Sequence, residues 1–367
     1  MHSQVRFLVF SVVLALSACA PRGTITYFPG AGQIGDLQSI FVASTRELDE
    51  DGAPTSNRGG ELLFGHVGVS IPDDREPGEV NWPHRATPDP AKHFLVDNYE
   101  KYDTHRAFEA AMARALRGQR GEERTATVFV HGFNNRFSEG LYRFAQLNAD
   151  LDLPFLPVHY SWPSAGHPLG YGYDRDSMLY ARDGLEATLR SVSKSGVDEV
   201  LLVGHSMGAL LSMEALRQMA IADGQQGLAK IGGVVLISPD IDLDLFRQQA
   251  KRIGKLPQPF FIFTSSRDRA LKLSARLTGQ TTRLGNNTDV AELAELDVTL
   301  VDLSAFTDGE ADHSVAFASP AFLRLINSIP NLSAAISASP TVQPGLLPGT
   351  ILVVQNATRL VIPNTAP

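Results

Sequence analysis

The stretch Val200-Leu201-Leu202-Val203-Gly204-His205-Ser206-Met207-Gly208-Ala209-Leu210-Leu211 decides the fold of this chain. Its first four residues are apolar and predict a buried central strand. The residues from Ala209 to Leu216 are rich in helix formers. Between the two stands Gly-x-Ser-x-Gly, which in a strand–turn–helix context predicts a nucleophile elbow. The hydroxyl of Ser206 is then expected at a helix N-terminus, where the helix dipole favours a developing negative charge.

The rest of the chain alternates strand patterns and helix patterns around this stretch. Strand patterns occupy residues 39–44, 62–71, 125–130, 154–162, 233–238, 260–264 and 298–302. Helix patterns occupy residues 104–116, 138–151, 174–194, 241–252 and 270–277. This order predicts an α/β fold with a mostly parallel central sheet and helices on both faces. Ligands bind such sheets beyond the carboxyl ends of the strands, so polar residues directly after strands are the candidate site.

A serine nucleophile needs a general base, and the base needs a carboxylate that orients it. In a fold with this kind of elbow the chain order is serine, acid, histidine. His313 is the only histidine after Ser206, so we predict it as the base. Asp268 follows the strand two units after the elbow strand and is our predicted acid. Asp240 follows the strand one unit after it and stays open as the alternative acid, or as the N-cap of the following helix.

Acyl transfer also needs N–H donors for the oxyanion. The main-chain N–H of Met207, next to the nucleophile, is the first predicted donor. The second is the N–H of Phe133, in the loop after the strand 125–130, where Gly132 permits a close backbone approach. His131 precedes Ser206 in the chain, and we expect it to hold this loop through a hydrogen bond.

Composition narrows the possible partners. The chain has 367 residues and a formal net charge of −8. No Lys/Arg-rich run is present, which argues against nucleic acid as a partner. One cysteine, no histidine pair at helical spacing and no phosphate-binding glycine loop predict no disulfide, no metal site and no cofactor.

The N-terminus predicts export. Arg6 precedes an apolar stretch at 7–16 that is too short to span a bilayer and is typical of a secretory signal. Leu16-Ser17-Ala18-Cys19 resembles a bacterial lipobox, in which the cysteine is acylated. The resemblance implies a signal peptide at 1–18 and a membrane anchor at Cys19. It also implies the outer membrane, facing the periplasm, because Ala20 and not aspartate follows. An ordinary signal peptide that contains a cysteine is the alternative.

The remaining boundaries follow from composition. Residues 19–38 are rich in glycine and proline and predict a tether. Residues 39–330 form the predicted hydrolase domain. Residues 331–367 are poor in charge and predict a low-complexity tail, draped on the domain or disordered, in which 350–354 and 359–362 could pair as a hairpin.

Several motifs together resemble the bacterial α/β-hydrolase family known as domain of unknown function 900, as a lipoprotein member. They are His131-Gly132-Phe133-Asn134-Asn135, Tyr160-Ser161-Trp162-Pro163-Ser164, Tyr171-Gly172-Tyr173-Asp174, Gly204-His205-Ser206-Met207-Gly208, Asp268-Arg269-Ala270-Leu271, Phe41-Val42-Ala43-Ser44-Thr45-Arg46 and Val69-Ser70-Ile71-Pro72. The resemblance covers residues 39–327. It implies the α/β-hydrolase fold, an esterase-like activity, and a triad of Ser206, Asp268 and His313, but no particular substrate.

These observations predict a lipid-anchored serine hydrolase that cleaves a small-molecule or lipid ester through an acyl-enzyme. A thioesterase, amidase or peptidase on the same triad stays open as an alternative. So does a non-catalytic envelope-associated binding protein that keeps the fold. The sequence leaves the acyl-chain length and the oligomeric state open.

Overall fold

A computed structural model describes residues 23–83, 87–279, 282–306, 313, 319–320, 323, 350–354 and 356–361. Its strands are β1 Asp36–Leu48, β2 Pro54–Ile71, β3 Leu95–Tyr102, β4 Thr125–Val130, β5 Leu156–Ser161, β6 Glu199–His205, β7 Ile231–Ile237, β8 Phe260–Thr264, β9 Thr299–Asp302, β10 Thr350–Val354 and β11 Ala357–Val361. Its α-helices are α1 His105–Ala115, α2 Phe137–Leu151, α3 Tyr171–Lys194, α4 Met207–Gly227, α5 Leu243–Ile253 and α6 Arg269–Leu277.

The strands form one eleven-stranded sheet in the order β10-β11-β9-β8-β7-β6-β4-β5-β1-β2-β3. Every neighbouring pair from β11 to β1 is parallel. Antiparallel pairs occur only at the two edges, between β10 and β11 and among β1, β2 and β3. The α/β class and the mostly parallel sheet are therefore confirmed.

Side chains of the elbow strand β6 alternate between two cores. Val200 and Leu202 join one hydrophobic cluster, to which α1, α3, α4 and α5 contribute. Leu201 and Val203 join the second cluster on the opposite face, to which α2 contributes. A strand buried on both faces has the apolar run that the sequence shows. This central position places Ser206 at the middle of the sheet edge.

One described strand, β3, is missing from the sequence prediction. Only Leu95, Val96 and Tyr102 of this strand are buried, while the polar residues between them face solvent or lie at the surface. Such an edge strand lacks the period-two apolar pattern on which the prediction depends. It pairs with β2 alone among the named strands.

The described part of the predicted tether packs on the domain. β1 begins at Asp36, three residues before the predicted domain boundary. Upstream of it, Val96 donates its N–H to Thr26 O at 2.9 Å, and Phe28 donates its N–H to Val96 O at 2.8 Å. The predicted signal peptide and Cys19 lie outside the described residues. Within the described residues, no helix has the length and apolar character needed to cross a bilayer.

The hairpin in the predicted tail forms, with a shorter turn than expected and with a role in the sheet. β10 pairs with β11 from Val354 opposite Ala357, and β11 pairs in parallel with β9. Ala357 and Leu360 are buried, and Arg359 Nη2 lies 2.6 Å from Asp302 Oδ2. The hairpin therefore docks on the domain as part of the sheet, because β9 offers it an unpaired strand edge. Residues 331–349 lie outside the described residues.

Candidate active site

Ser206 occupies the tight turn between β6 and α4. Its backbone has φ 53° and ψ −119°, a conformation that is strained for a residue with a side chain. Three main-chain hydrogen bonds fix it, in which Ser206 N donates to Ile237 O and Ser206 O accepts from Ala209 and Asp240 N–H. The turn therefore has the strained geometry that the sequence motif predicts.

The two glycines of the motif are required by close contacts. A Cβ on Gly204 would lie 2.8 Å from Ala209 Cα. A Cβ on Gly208 would lie 2.3 Å from His131 O. Real Cβ atoms do not approach backbone so closely, so only glycine lets β6, α4 and the loop after β4 meet here.

Asp268 and His313 are brought together although 45 residues separate them. His313 Nδ1 lies 2.7 Å from Asp268 Oδ2. A carboxylate only accepts hydrogen bonds, so Nδ1–H donates and Nε2 is the basic nitrogen of the neutral ring. Asp268 is fully buried, and its other oxygen Oδ1 accepts from Leu271 N–H at 2.9 Å as the N-cap of α6. The helix start thus holds the carboxylate that orients the histidine.

Asp240 has a different set of partners. Its Oδ1 lies 3.1 Å from Arg283 Nε and accepts from Ser274 Oγ at 2.6 Å, while Oδ2 accepts from Tyr171 OH at 3.0 Å. Among the described residues, its carboxylate contacts are with these groups and not with His313. Asp240 is also not the N-cap of the following helix. That helix, α5, begins at Leu243, and its N-cap is Asp242. The structure therefore does not place the alternative acid in the position of a triad acid.

The loop 132–135 lies directly against Ser206, since a Cβ on Gly132 would be 2.8 Å from Ser206 Cβ. Asn134 has φ 59° and donates its N–H to Asp174 Oδ2 at 3.1 Å. Asn135 donates its N–H to Ser164 Oγ at 3.1 Å, and Ser164 Oγ donates to Asp174 at 2.5 Å. The loop that carries Phe133 is thus fixed at both residues that follow it. Met207, which carries the other predicted donor, is the first residue of α4, where main-chain N–H groups have no intrahelical acceptor.

His131 serves as part of the scaffold beneath this loop. Its ring stacks on Trp162 at 5.0 Å, and Trp162 Nε1 donates to His131 O at 2.7 Å. Its Nδ1 and Nε2 lie 2.9 Å from Gly132 O and 3.1 Å from Trp162 O. Burial, reinforced by the charge of Arg46, lowers the pKa of His131 well below its usual value, so the ring stays neutral.

Arg46 is a site residue that the sequence analysis did not single out. It is buried at the end of β1 and donates to Asn135 O at 2.9 Å and to Ser161 Oγ at 2.9 Å. It also donates to Ser164 O at 3.2 Å. Burial lowers its pKa to about 9, so it remains charged at neutral pH. The available signal was its position, a charged residue two places after the apolar strand pattern 39–44.

A cavity of about 380 Å³ opens beside these groups. It is lined by Val80, Trp82, Phe129, His131, Gly132, Phe133, Asn134, Asn135, Glu139, Gly140, Arg143, His205 and His313. Burial and the neighbouring His313 lower the pKa of His205 well below its usual value. The candidate base therefore borders a space that is lined by aromatic rings and also by the polar side chains of Glu139 and Arg143. No group of three potential metal-ligating side chains occurs among the residues that the structure describes.

Comparisons with known proteins agree with this architecture. A family model described as alpha/beta hydrolase of unknown function (DUF900) matches residues 104–329, more than half of the chain. An esterase of Rhizomucor miehei is 14% identical, with a TM-score of 0.36, over 83% of this chain and 85% of that chain. An esterase of Pyrobaculum calidifontis is 13% identical, with a TM-score of 0.33, over 92% of each chain. At these values the two structures carry no argument about this chain. No curated protein sequence matches the chain.

Proposed function

The chain belongs to the DUF900 family of α/β-hydrolases of unknown function, and on that premise we propose that it is a serine hydrolase that cleaves carboxylic esters. This membership confirms the family resemblance and the α/β-hydrolase fold inferred from the sequence motifs. The observation that carries the proposal is the 2.7 Å contact between His313 Nδ1 and buried Asp268, at the same sheet edge as the strained Ser206. Acyl transfer needs an elbow serine together with a histidine that a buried carboxylate orients, and these groups lie at one sheet edge here.

In the proposed first step, Ser206 Oγ bonds to the ester carbonyl carbon while His313 Nε2 takes the hydroxyl proton. The N–H groups of Phe133 and Met207 hold the oxyanion of the tetrahedral intermediate. Asp268 stabilises the imidazolium that forms. The ester C–O bond then breaks, and His313 gives the proton to the leaving alcohol oxygen.

In the second step, water attacks the acyl-enzyme while His313 accepts one of its protons. The bond between the acyl carbon and Ser206 Oγ breaks, the carboxylic acid leaves, and Ser206 regains its proton from His313. The reaction consumes one ester and one water and yields one acid and one alcohol. Its balance requires no redox partner.

We also propose that Cys19 is acylated and anchors the protein to the outer membrane on the periplasmic side. The lipobox-like Leu16-Ser17-Ala18-Cys19 after an apolar stretch supports this, and Cys19 is the only cysteine of the chain. The test is membrane fractionation of Cys19→Ser. Release of the variant into the soluble fraction is expected, and an unchanged distribution would contradict acylation.

The test of the activity is hydrolysis of p-nitrophenyl acetate and butyrate by the wild type and Ser206→Ala. We expect the variant to lose about 10³-fold or more in kcat, because the covalent route is lost. Ser212→Ala is the matched control, since Ser212 lies on α4 and donates only to Gly208 O at 2.8 Å. It should keep most of the rate.

The alternatives give different results in the same assay. Faster turnover of matched thioesters, anilides or peptides than of esters would identify a thioesterase, amidase or peptidase. Absence of turnover on all of these substrates would contradict the proposed function and favour a binding protein. An undiminished rate in Ser206→Ala would contradict the assigned nucleophile.

A further inference from the structure

The described chain begins at the catalytic end of the domain. Gly23 is buried, and its carbonyl oxygen accepts a hydrogen bond from Ser138 Oγ at 2.9 Å. Ser138 lies in the first turn of α2, three residues after Asn135 of the loop that abuts Ser206. The contact therefore fastens Gly23 beside the candidate oxyanion loop.

Gly23 also lies against a wall of the candidate site. A Cβ at this position would lie 2.3 Å from the Trp82 ring, so the glycine backbone sits on the indole. Trp82 in turn lines the 380 Å³ cavity together with Phe133 and His313. Its ring is held in place by Tyr142, with centroids 4.7 Å apart. The Trp82 side chain thus lies between Gly23 and the cavity.

The direction of the chain after Gly23 shows at which end of the sheet Gly23 lies. After Gly23 the segment runs to the beginning of β3, where Thr26 and Phe28 exchange hydrogen bonds with Val96. Val96 pairs with Val69 near the end of β2, and β2 ends at Ile71 opposite Asp36, the first residue of β1. That is the sheet edge opposite to the one that carries Ser206. Gly23, the first described residue, therefore lies at the catalytic rim.

The distance to the proposed anchor is short. Cys19 precedes Gly23 by four residues, and four residues span at most ~14 Å when fully extended. A domain of this size has a radius of gyration of about 20 Å. A linker this short holds the catalytic rim against the bilayer surface, because a domain of this size cannot rotate the rim away from the bilayer within that length.

We propose that the catalytic rim faces the membrane and that the substrate is an ester resident in the bilayer, such as an acylglycerol, which enters the cavity past Trp82. The proposal rests on the serine hydrolase function and on the acylation of Cys19. Val80, Trp82 and Phe129 give one side of the cavity an apolar wall suited to an acyl chain, while Glu139 and Arg143 make another part of its lining polar. A water-soluble ester would gain nothing from this placement.

The activity test uses the lipidated full-length protein in phosphatidylcholine vesicles that contain dioleoylglycerol, with p-nitrophenyl acetate as the soluble substrate. A 20-residue Gly/Ser spacer inserted between Arg22 and Gly23 adds a reach of about 25 Å and releases the rim. We expect the spacer to lower dioleoylglycerol hydrolysis by about tenfold through lost proximity and orientation. Hydrolysis of the soluble ester should stay within about twofold.

The matched control is the same spacer inserted between the exposed residues Gly118 and Gln119, after α1. It should preserve both rates. Equal hydrolysis of dioleoylglycerol by the wild type and the Arg22–Gly23 insertion would overturn the inference and leave the hydrolase proposal standing. Failure of the wild type on both substrates would instead overturn the hydrolase proposal.

A second readout does not depend on activity. The chain has two tryptophans, of which Trp82 is half-buried and Trp162 fully buried. Vesicles with nitroxide-labelled headgroups should quench the emission of Trp82 in the anchored wild type and less in the Arg22–Gly23 insertion. Trp82→Phe identifies the quenched component. Equal quenching in the wild type and the insertion would contradict a rim that faces the membrane.

Discussion

Asp240 and Asp268 follow adjacent parallel strands, β7 and β8, and both are buried, at 3% and 0% exposure. Asp240 faces the guanidinium of Arg283 and two hydroxyl donors. Asp268 faces one helix N–H and the imidazole of His313. A guanidinium has only donors, whereas an imidazole that donates from Nδ1 keeps a second nitrogen that can accept a proton. Burial and strand position therefore do not distinguish the candidate acid from its neighbour, whereas the partner of each carboxylate does.

The two aspartates also differ in how their backbones are used. Asp240 N–H donates to Ser206 O at 3.1 Å, so its main chain supports the strained turn while its side chain points to Arg283. Asp268 is the N-cap of α6, which fixes its carboxylate toward His313. One residue therefore supports the nucleophile, and the other orients the base.

The largest expected effect is that of Asp268→Asn. The amide cannot hold the required tautomer of His313 or stabilise the imidazolium, so kcat for p-nitrophenyl butyrate should fall by about 10⁴. Asparagine is also a good N-cap, so the free energy of unfolding in urea should change little. A kcat within about tenfold of wild type would contradict the assignment of Asp268 as the acid that orients His313.

Asp240→Asn should lower the free energy of unfolding strongly and kcat only weakly, the reverse of Asp268→Asn. It leaves the Arg283 guanidinium buried without its counter-charge, and we expect a loss of about 3–5 kcal/mol in the free energy of unfolding. The fall in kcat at a temperature where the variant is folded should stay below about tenfold. The double variant Asp240→Asn/Arg283→Met should recover part of the stability, because it removes the unpaired charge. A 10⁴-fold loss of kcat in Asp240→Asn would identify it as the acid.

Arg46→Lys tests a buried cation that donates to carbonyl and hydroxyl oxygens of the site rather than pairing with Asp240 or Asp268. Lysine cannot reproduce the fork that reaches Asn135 O, Ser161 Oγ and Ser164 O together. The displaced loop should weaken oxyanion stabilisation, so kcat should fall by about 10² with KM nearly unchanged. Arg58→Lys on β2 is the matched control and should keep the rate. An equal effect of both variants would argue against a positioning role for Arg46.

The smallest expected effect concerns His159, a buried histidine among the rings of Phe129 and Phe144. Burial lowers its pKa from 6.5 to about 3, so the unfolded chain binds its proton while the native chain does not. This contribution to stability is complete above pH 6.5 and is lost as the pH falls toward 3. Between pH 6.5 and 5 the loss is about 2 kcal/mol.

His159→Phe should therefore reduce the acid sensitivity of urea unfolding by that amount. Phe144→Leu, in the same cluster, removes packing without a titratable group and should lower stability equally at both pH values. An unchanged pH dependence in His159→Phe would show that this histidine does not contribute to acid destabilisation.

The elbow, the parallel sheet and the strand ends that carry the candidate site could be predicted from the sequence, because they depend on local apolar runs and on a motif of fixed spacing. The contacts that hold the site residues in place could not be predicted from the sequence. Arg46 reaches Asn135 across 89 residues, and no local pattern encodes that contact. Strands β3 and β11 were not placed correctly from the sequence, because polar residues interrupt the apolar pattern of β3 and only long-range pairing with β9 positions β11.

The partners of Asp240 and Asp268 could likewise not be predicted from the sequence. Strand position made Asp268 the preferred acid, but only folding brings His313 to one carboxylate and Arg283 to the other. The docking of Gly23 at the catalytic rim is a further contact between segments that are distant in the chain. Sequence periodicity determines which elements form, whereas contacts of this range depend on how the elements pack.

The most direct test of the central claim is fluorophosphonate labelling followed by peptide mass mapping. We expect one adduct, on the peptide that contains Ser206. Its rate of formation should fall about 10³-fold or more in Asp268→Asn and stay within about tenfold of wild type in Asp240→Asn. An adduct on another residue, or equal rates in the two aspartate variants, would contradict the assignment of Ser206, His313 and Asp268.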